Sequence, residues 1–202
     1  MGDDLAGALT RLDEITRRLR RDCPWDREQD ERSIVPHTVE EAYELADAAN
    51  EGDDARMVDE LGDVLFQVYF LSLLLEERGS GDLAQVAEHC RQKLIRRHPH
   101  VFGEREARTA GDVVRNWDQI KRDDERGGEV FGHIPETLPA TLYAKKVLKR
   151  ARSAGLEPDA DTEDGPGARL LQAVREAVDE GADPELALRE AAERYRRRVE
   201  AA

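Results

Sequence analysis

The sequence predicts an all-α protein, and two observations support that prediction. Along most of the chain, apolar residues recur at intervals of three and four, which is the spacing of one face of an α-helix. Aromatic residues make up only 5% of the chain and charged residues 38%, a composition that fits a soluble helical protein. With 202 residues, the chain is long enough to bury a sizeable core in one or two domains.

Charge and hydropathy limit the partners and the compartment. The formal net charge is −14, from 45 acidic and 31 basic residues, and this disfavours a nucleic-acid backbone as the main partner. No segment has the pattern of a secretory signal, and the most apolar run, residues 64–75, is too short to cross a bilayer. Two cysteines allow at most one disulfide. We therefore expect a cytoplasmic protein with no nucleic-acid or membrane partner.

The first predicted helix covers residues 5–21, where the apolar residues have a helical period and arginines gather at the end. Pro24 ends this helix, because a proline pushes the preceding residue out of the α region. Trp25 follows in a short loop. There it can be a packing anchor or a stacking surface.

An acidic helix comes next and begins the main chemical signal of the chain. Thr38 is the expected N-cap, and the steps of three and four place Glu44 beside both Glu40 and Glu41 on one face. That face is acidic.

A second acidic helix follows after a short turn at residues 50–53. Glu60 and Asp63 are three residues apart in it, next to a broad apolar stripe that we expect to be buried. The stripe consists of Val58, Leu61, Val64, Leu65, Val68, Leu71 and Leu75. Because the turn is so short, the two acidic helices should be antiparallel neighbours.

The two acidic faces can therefore meet and bring carboxylates together. Clustered carboxylates repel each other and lose solvation, so a divalent cation at their centre best explains them. Ligation by oxygen alone favours Mg²⁺ or Mn²⁺ over Zn²⁺.

The helix predicted at residues 83–97 ends in basic residues before Pro99. Lys93 and Arg97 are four residues apart and share a face, so one anion could contact both. Cations at a helix C-terminus also complement the helix dipole. The spacing alone leaves both explanations open.

Two more helices are predicted at residues 109–124 and 138–154. Trp117 can be a core residue of the first; alternatively its indole can stack on a ligand while Lys121, one turn later, reaches a phosphate. The second is rich in Lys and Arg, and such a charge run is typical of a solvated face or of a surface that contacts an acidic partner.

The end of the chain is an acidic segment rich in Pro and Gly, followed by two amphipathic helices. The segment has no apolar periodicity and is predicted to be a flexible linker. The two helices weakly repeat the upstream motif order, but Ala168 occupies the position of Asp63, so they cannot build the same metal site. We expect them to pack on the apolar stripe of the second acidic helix or on the basic helix 138–154.

Five sequence blocks occur in a fixed order along residues 5–150. They are Cys23-Pro24-Trp25-Asp26, Glu40-Glu41-x-x-Glu44, Glu60-Leu61-Gly62-Asp63, residues 93–102 and Trp117-x-x-Ile120-Lys121. In this order they resemble the MazG family of nucleoside triphosphate pyrophosphohydrolases. The resemblance implies an all-α fold with a four-helix catalytic unit, a homodimer or higher homo-oligomer, and Mg²⁺-dependent hydrolysis of nucleoside triphosphates to monophosphate and pyrophosphate, a house-cleaning of the nucleotide pool.

The resemblance also assigns roles by position. It implies metal ligands at Glu41, Glu44, Glu60 and Asp63. It implies nucleotide and phosphate contacts at Lys93, Arg97, Trp117 and Lys121. Glu40, which is adjacent to the ligands, is our candidate general base, with Glu41 as the alternative.

These assignments divide the chain into four parts: a MazG-like catalytic unit at 1–126, a connecting loop and basic helix at 127–156, the linker at 157–168, and a degenerate remnant of a second MazG-like unit at 169–202. A di-iron carboxylate bundle would need Glu-x-x-His pairs, and none of the five histidines has Glu three residues before it. The alternative function is a non-catalytic nucleotide-binding or scaffold protein of the same fold, against which the retention of every motif residue argues.

Overall fold

The computed structural model describes residues 4–104, 106–126, 129–156 and 164–202. These residues form ten helices and no strand, which confirms the predicted all-α fold. The chain divides into two compact units, Met1–Lys93 and Leu94–Ala202. The predicted domain boundaries at residues 126, 156 and 168 stay predictions.

Each segment predicted to be helical is present, although several ends differ. The helices are α1 (Leu5–Asp22), α2 (Pro24–Glu28), α3 (Glu31–Glu51), α4 (Asp54–Glu77), α5 (Leu83–Arg97), α6 (Pro99–Phe102), α7 (Ala110–Arg126), α8 (Ala140–Ser153), α9 (Pro166–Asp179) and α10 (Pro184–Glu200). Among the described residues, no helix combines the length and the apolar character needed to cross a bilayer.

The first acidic helix, α3, begins at Glu31, so the predicted N-cap at Thr38 is wrong. Asp30 caps it instead: its Oδ1 accepts the Ser33 backbone N–H at 2.9 Å, and Ser33 Oγ accepts the Asp30 N–H at 2.9 Å. This reciprocal cap starts the helix early enough to include Pro36, whose missing N–H removes one backbone hydrogen bond. Thr38 lies inside the helix.

The turn between the acidic helices is shorter than predicted, because α3 continues to Glu51 and α4 begins at Asp54. Gly52 has φ 69°, a left-handed conformation that favours glycine. Asp53 then accepts the backbone N–H groups of the first turn of α4 through one carboxylate oxygen, at 3.1 Å each. This tight connection makes α3 and α4 neighbours, and they form the largest helix–helix contact of the first unit.

The apolar core of the first unit lies between α3 and α4. Ile34, Phe70 and Leu74 are buried there, and Phe66 and Leu71 pack against them. The expectation that the whole apolar stripe of α4 is buried is wrong. Four of its residues are exposed: Val58, Leu61, Leu65 and Val68.

Two arginine–glutamate pairs hold α1 against the end of α4. Arg17 donates to the two oxygens of Glu76 at 3.0 and 2.6 Å, and Arg20 donates to the two oxygens of Glu77 at 2.9 and 2.8 Å. These hydrogen bonds lower the pKa of Glu76 and of Glu77. Both carboxylates thus stabilise the fold above their ordinary pKa, and this contribution is lost as the pH falls through the lowered values.

The second unit places the tail helices on α8. Basic and hydroxyl side chains of α8 contact acidic side chains of α9, of α10 and of the N-cap of α10. The pairs are Thr141–Glu185, Lys145–Asp183 at 2.5 Å and Arg152–Asp179 at 2.7 Å. The tail thus contacts the basic helix, which is one of the two surfaces expected for it.

Only the last residues of the predicted linker, from 164 onwards, are among the described residues. Helix α9 begins at Pro166, so residues 166–168, which the prediction includes in the linker, form its first turn. The segment 157–163 lies outside the described residues.

We predict that Arg20→Ala lowers the free energy of unfolding by about 2–3 kcal/mol, the scale of lost charged hydrogen bonds. Besides Glu77, the Arg20 guanidinium donates to the carbonyls of Asp26 at 2.5 Å and Gln29 at 3.0 Å, and its side chain is only 18% exposed. The matched control is Arg18→Ala, because the Arg18 side chain is 73% exposed; its effect should stay within about 0.5 kcal/mol. Urea unfolding followed by circular dichroism measures both. Equal stability of the two variants would contradict the prediction.

Candidate active site

The structure brings three of the five predicted carboxylates together. One carboxylate oxygen each from Glu41, Glu60 and Asp63 lies within 4.8 Å of the other two. Glu41 belongs to α3, whereas Glu60 and Asp63 belong to α4, so the packing of these two helices assembles the cluster. Glu60 is buried, Glu41 is half-buried and Asp63 is exposed. The cluster therefore has one side in the protein and one side in solvent.

The environment of Glu41 disfavours its charged form. Burial raises the pKa of Glu41, and the negative charges of Asp63, Glu44, Glu60 and Glu40 raise it further. The folded chain therefore binds a proton at Glu41 more tightly than the unfolded chain does. As the pH rises through the ordinary pKa towards the raised one, ionisation of Glu41 makes the fold less stable.

Glu60 is in a similar environment, with one counter-charge. Burial and the charge of Glu44 raise its pKa, while Arg56 acts in the opposite direction. Arg56 Nε lies 3.6 Å from Glu60 Oε1, and Arg56 Nη1 lies 2.7 Å from Glu51 Oε2. Arg56 was not predicted as part of this site, although its position four residues before Glu60 on the same helix was a usable signal.

This cluster fits a hard divalent cation. All of its donor atoms are carboxylate oxygens, they come from two helices, and Arg56 alone does not balance their charge. Burial and mutual repulsion raise the pKa of Glu41 and of Glu60, and a cation would offset the repulsion. Oxygen donors of this kind suit Mg²⁺ and Mn²⁺.

The other two predicted acidic residues lie at the edge of the cluster. Glu44 is exposed and is not among the three residues whose oxygens converge, although its charge acts on both Glu41 and Glu60. The side chain of Glu40 is 64% exposed, and its Oε2 lies 3.7 Å from His37 Nδ1. The metal-ligand role of Glu44 and the base role of Glu40 stay predictions.

In the second unit, three predicted nucleotide-binding residues come together. The guanidinium carbon of Arg97 and Nζ of Lys121 each lie 5.3 Å from the ring centroid of Trp117. Arg97 is only 6% exposed, so the face of the indole compensates for part of its lost hydration. Trp117 is half-buried, and two cationic side chains lie against its ring. Lys93 lies on α5 in the first unit and is half-buried.

Trp25 is a surface residue. It is 52% exposed, and its ring stands edge-on to His37 with 6.0 Å between the ring centroids. A packing anchor would be buried, so the structure favours the other interpretation, a stacking surface.

Comparison with known proteins places this site in a family. Residues 29–102 match the family model of the MazG nucleotide pyrophosphohydrolase domain. A nucleoside triphosphate pyrophosphohydrolase from Escherichia coli K12 is 38% identical over 74% of this chain and 59% of its own length. The chain belongs to the MazG family. The matched region contains all five predicted carboxylates, Lys93 and Arg97, whereas Trp117 and Lys121 lie beyond it.

The other relatives differ in the share of their own length that this chain covers. The nucleoside triphosphate pyrophosphohydrolase/pyrophosphatase MazG of Thermotoga maritima is 37% identical over 67% of this chain and 52% of its own. An uncharacterized 26.1 kDa protein from Streptomyces cacaoi is 40% identical over 98% of this chain and 84% of its own. The crystal structure of a MazG-related protein from Thermotoga maritima has a TM-score of 0.49 and 26% identity, over 56% of this chain and 98% of that one. The chain thus spans little more than half of the two named enzymes.

We predict that Glu41→Gln and Asp63→Asn leave the melting temperature in metal-free buffer unchanged or raise it, because each removes one of several repelling charges. Added Mg²⁺ or Mn²⁺ should raise the melting temperature of the wild type and raise it less in both variants.

The control is Asp47→Asn, which removes an exposed charge from α3 outside the cluster and should respond to the cations as the wild type does. Differential scanning fluorimetry with and without EDTA measures all of these changes. A clear loss of melting temperature in metal-free buffer would show that the two carboxylates have a structural role.

Proposed function

We propose that this MazG-family chain is a Mg²⁺-dependent nucleoside triphosphate pyrophosphohydrolase that produces a nucleoside monophosphate and pyrophosphate. The observation that carries the proposal is the convergence of Glu41, Glu60 and Asp63 on two packed helices, inside the region that matches the pyrophosphohydrolase domain. The Escherichia coli and Thermotoga maritima relatives bear the name of this activity. Mn²⁺ is a possible substitute for Mg²⁺.

The carboxylates have a defined task in this reaction. Water attacks the α-phosphorus while the bond to the oxygen bridging the α- and β-phosphates breaks, and pyrophosphate leaves with the bonding electrons, so negative charge accumulates on phosphate oxygens. Glu41, Glu60 and Asp63 would hold the cation, together with Glu44 as the family resemblance implies. When bound, Mg²⁺ supplies positive charge to the phosphate oxygens and favours ionisation of water.

The proton of the attacking water needs an acceptor, and we propose Glu40. Glu40 directly precedes Glu41 in α3 but is not one of the residues whose oxygens converge. Its carboxylate is therefore available to take a proton. Its exposure keeps it in contact with solvent, to which the proton is later released. Glu41 is the alternative base.

The basic residues would bind the triphosphate. Arg97 and Lys121 both lie against the indole of Trp117, and cations gathered around one side chain suit an anion with several charges. Lys93 lies one turn before Arg97 on α5. We propose that these three cations neutralise the phosphates and that Trp117 positions two of them.

The prediction for this function is that the wild type releases pyrophosphate and monophosphate from a nucleoside triphosphate with Mg²⁺ and not with EDTA. Lys93→Ala and Arg97→Ala should each lower kcat/KM by about 1–3 kcal/mol in transition-state terms, the scale of a lost charged hydrogen bond.

Arg91→Ala is the matched control, because Arg91 lies on the same helix, is 60% exposed at its side chain and pairs with Glu88. A coupled pyrophosphate assay across ribo- and deoxyribonucleoside triphosphates measures the rates. Nucleotide binding without any pyrophosphate release would support the alternative, a non-catalytic binding or scaffold protein. Wild-type kinetics in both alanine variants would assign the basic cluster to the helix dipole.

We also propose a homodimer or higher homo-oligomer, acting in the cytoplasm in house-cleaning of the nucleotide pool. The support for the oligomer is the exposed part of the α4 stripe, where Val58, Leu61, Leu65 and Val68 follow one face of the helix. Apolar residues grouped in this way on a surface mark an interaction site, since covering them releases about 25 cal/mol per Å².

We predict that Leu65→Lys shifts the chain to a smaller species, because a charged side chain is costly in an apolar interface. The control is Leu170→Lys on α9, which is exposed but outside the stripe. Size-exclusion chromatography with light scattering gives the molar mass of each. An unchanged mass for Leu65→Lys would place any oligomer contact elsewhere.

A further inference from the structure

Gln67 is a buried polar residue whose amide oxygen has no hydrogen-bond partner among the residues that the structure describes. It is 7% exposed, and its amide oxygen Oε1 is fully buried with no hydrogen-bond donor. Buried amide oxygens are normally paired, because an unpaired one loses its hydration without a replacement. The unpaired amide oxygen of Gln67 therefore calls for a physical explanation.

Its position on α4 relates it to the carboxylate cluster. The steps from Glu60 to Asp63 and from Asp63 to Gln67 are three and four residues, so all three share one face of the helix. Phe70, which is completely buried, continues the same side of α4 in the other direction. Gln67 thus stands where the apolar core ends and the acidic cluster begins. Helical side chains lean towards the N-terminus, and for Gln67 this is the direction in which Asp63 lies along α4.

Other buried polar residues of the first unit do not share this feature. Ser72 on α4 is 3% exposed and donates its hydroxyl to the Val68 carbonyl at 2.7 Å. Thr16 on α1 is 1% exposed and donates to the Leu12 carbonyl at 2.9 Å. Each is satisfied within its own helix. Only the residue next to the carboxylate cluster, among these three, has a polar atom left over.

We propose that Gln67 is a positioning residue for the metal centre, and that its Oε1 accepts a hydrogen bond from a water molecule carried by the divalent cation at Glu41, Glu60 and Asp63. The inference rests on the proposed function in so far as that function assigns a cation to the cluster. Mg²⁺ bound by carboxylates keeps several of its waters, and waters on a dication are strong donors that need acceptors. An amide supplies an acceptor without adding another negative charge to an already repulsive site.

The test is the affinity of the chain for Mn²⁺ alone, measured by electron paramagnetic resonance of free Mn²⁺. Gln67→Met keeps the length of the side chain and removes the strong acceptor. It should raise the Kd for Mn²⁺ about tenfold, as loss of an outer-shell partner does. In metal-free buffer its melting temperature should be unchanged or higher, since an unpaired buried oxygen is removed. Gln67→Leu serves as a second apolar variant in case the first packs poorly.

Two further variants complete the design. Gln67→Glu keeps an acceptor oxygen and should bind Mn²⁺ at least as tightly as the wild type. Ser72→Ala removes a buried polar group from the same helix that already has a partner, and it should leave the Mn²⁺ affinity unchanged.

Three results would overturn the proposal. The first is wild-type Mn²⁺ affinity in both Gln67→Met and Gln67→Leu. If these two variants then bind a non-hydrolysable nucleoside triphosphate more weakly than the wild type does, the amide contacts the nucleotide instead. The second is a lower melting temperature in metal-free buffer with unchanged affinity, which would assign Gln67 to packing. The third is weak binding by Gln67→Glu, which would mean that the amide acts as a donor. Each of these leaves the proposed function intact as long as the wild type binds Mn²⁺ and releases pyrophosphate.

Discussion

The packing of α3 against α4 is the interaction on which the rest of the first unit depends. Ile34, Phe70 and Leu74 are withdrawn from water between these helices, and burial of such side chains is worth about 1.5–3 kcal/mol each. Nearer the turn, the same two helices hold Glu41 and Glu60 in surroundings that raise the pKa of both. Apolar burial at one end of the helix pair thus offsets electrostatic repulsion at the other. A weaker core would leave less apolar burial to offset the repulsion between these carboxylates.

The periodicity of the sequence was enough to predict the helices and the convergence of acidic faces, because both follow from local spacing. Local spacing did not locate the start of α3, because the reciprocal cap of Asp30 and Ser33 begins the helix a full turn and more before the predicted cap at Thr38. It also could not tell which part of the α4 stripe is covered. That depends on how other helices pack around α4, and Val58 is left 71% exposed.

The candidate site shows the same division between local and tertiary information. Glu60 and Asp63 were predictable as a pair because they lie on one helix, whereas the separation of Glu44 from the converging oxygens depends on how the side chains of two helices interleave. The contact of Arg97 with Trp117 joins different helices, and no spacing rule gives it. The charges of the two clusters are also compensated differently. The carboxylates of Glu41, Glu60 and Asp63 fit a cation, whereas Arg97 and Lys121 lie against the π face of an indole.

The tail is attached to α8 by a surface of opposite charges. Lys145 with Asp183 and Arg152 with Asp179 cross this contact, and all four side chains keep some exposure to solvent. Ions in solution screen such pairs over about 8–10 Å at ordinary ionic strength. The attachment of α9 and α10 is therefore sensitive to salt in a way that the apolar contact between α3 and α4 is not, and the two halves of the chain should loosen under different solution conditions.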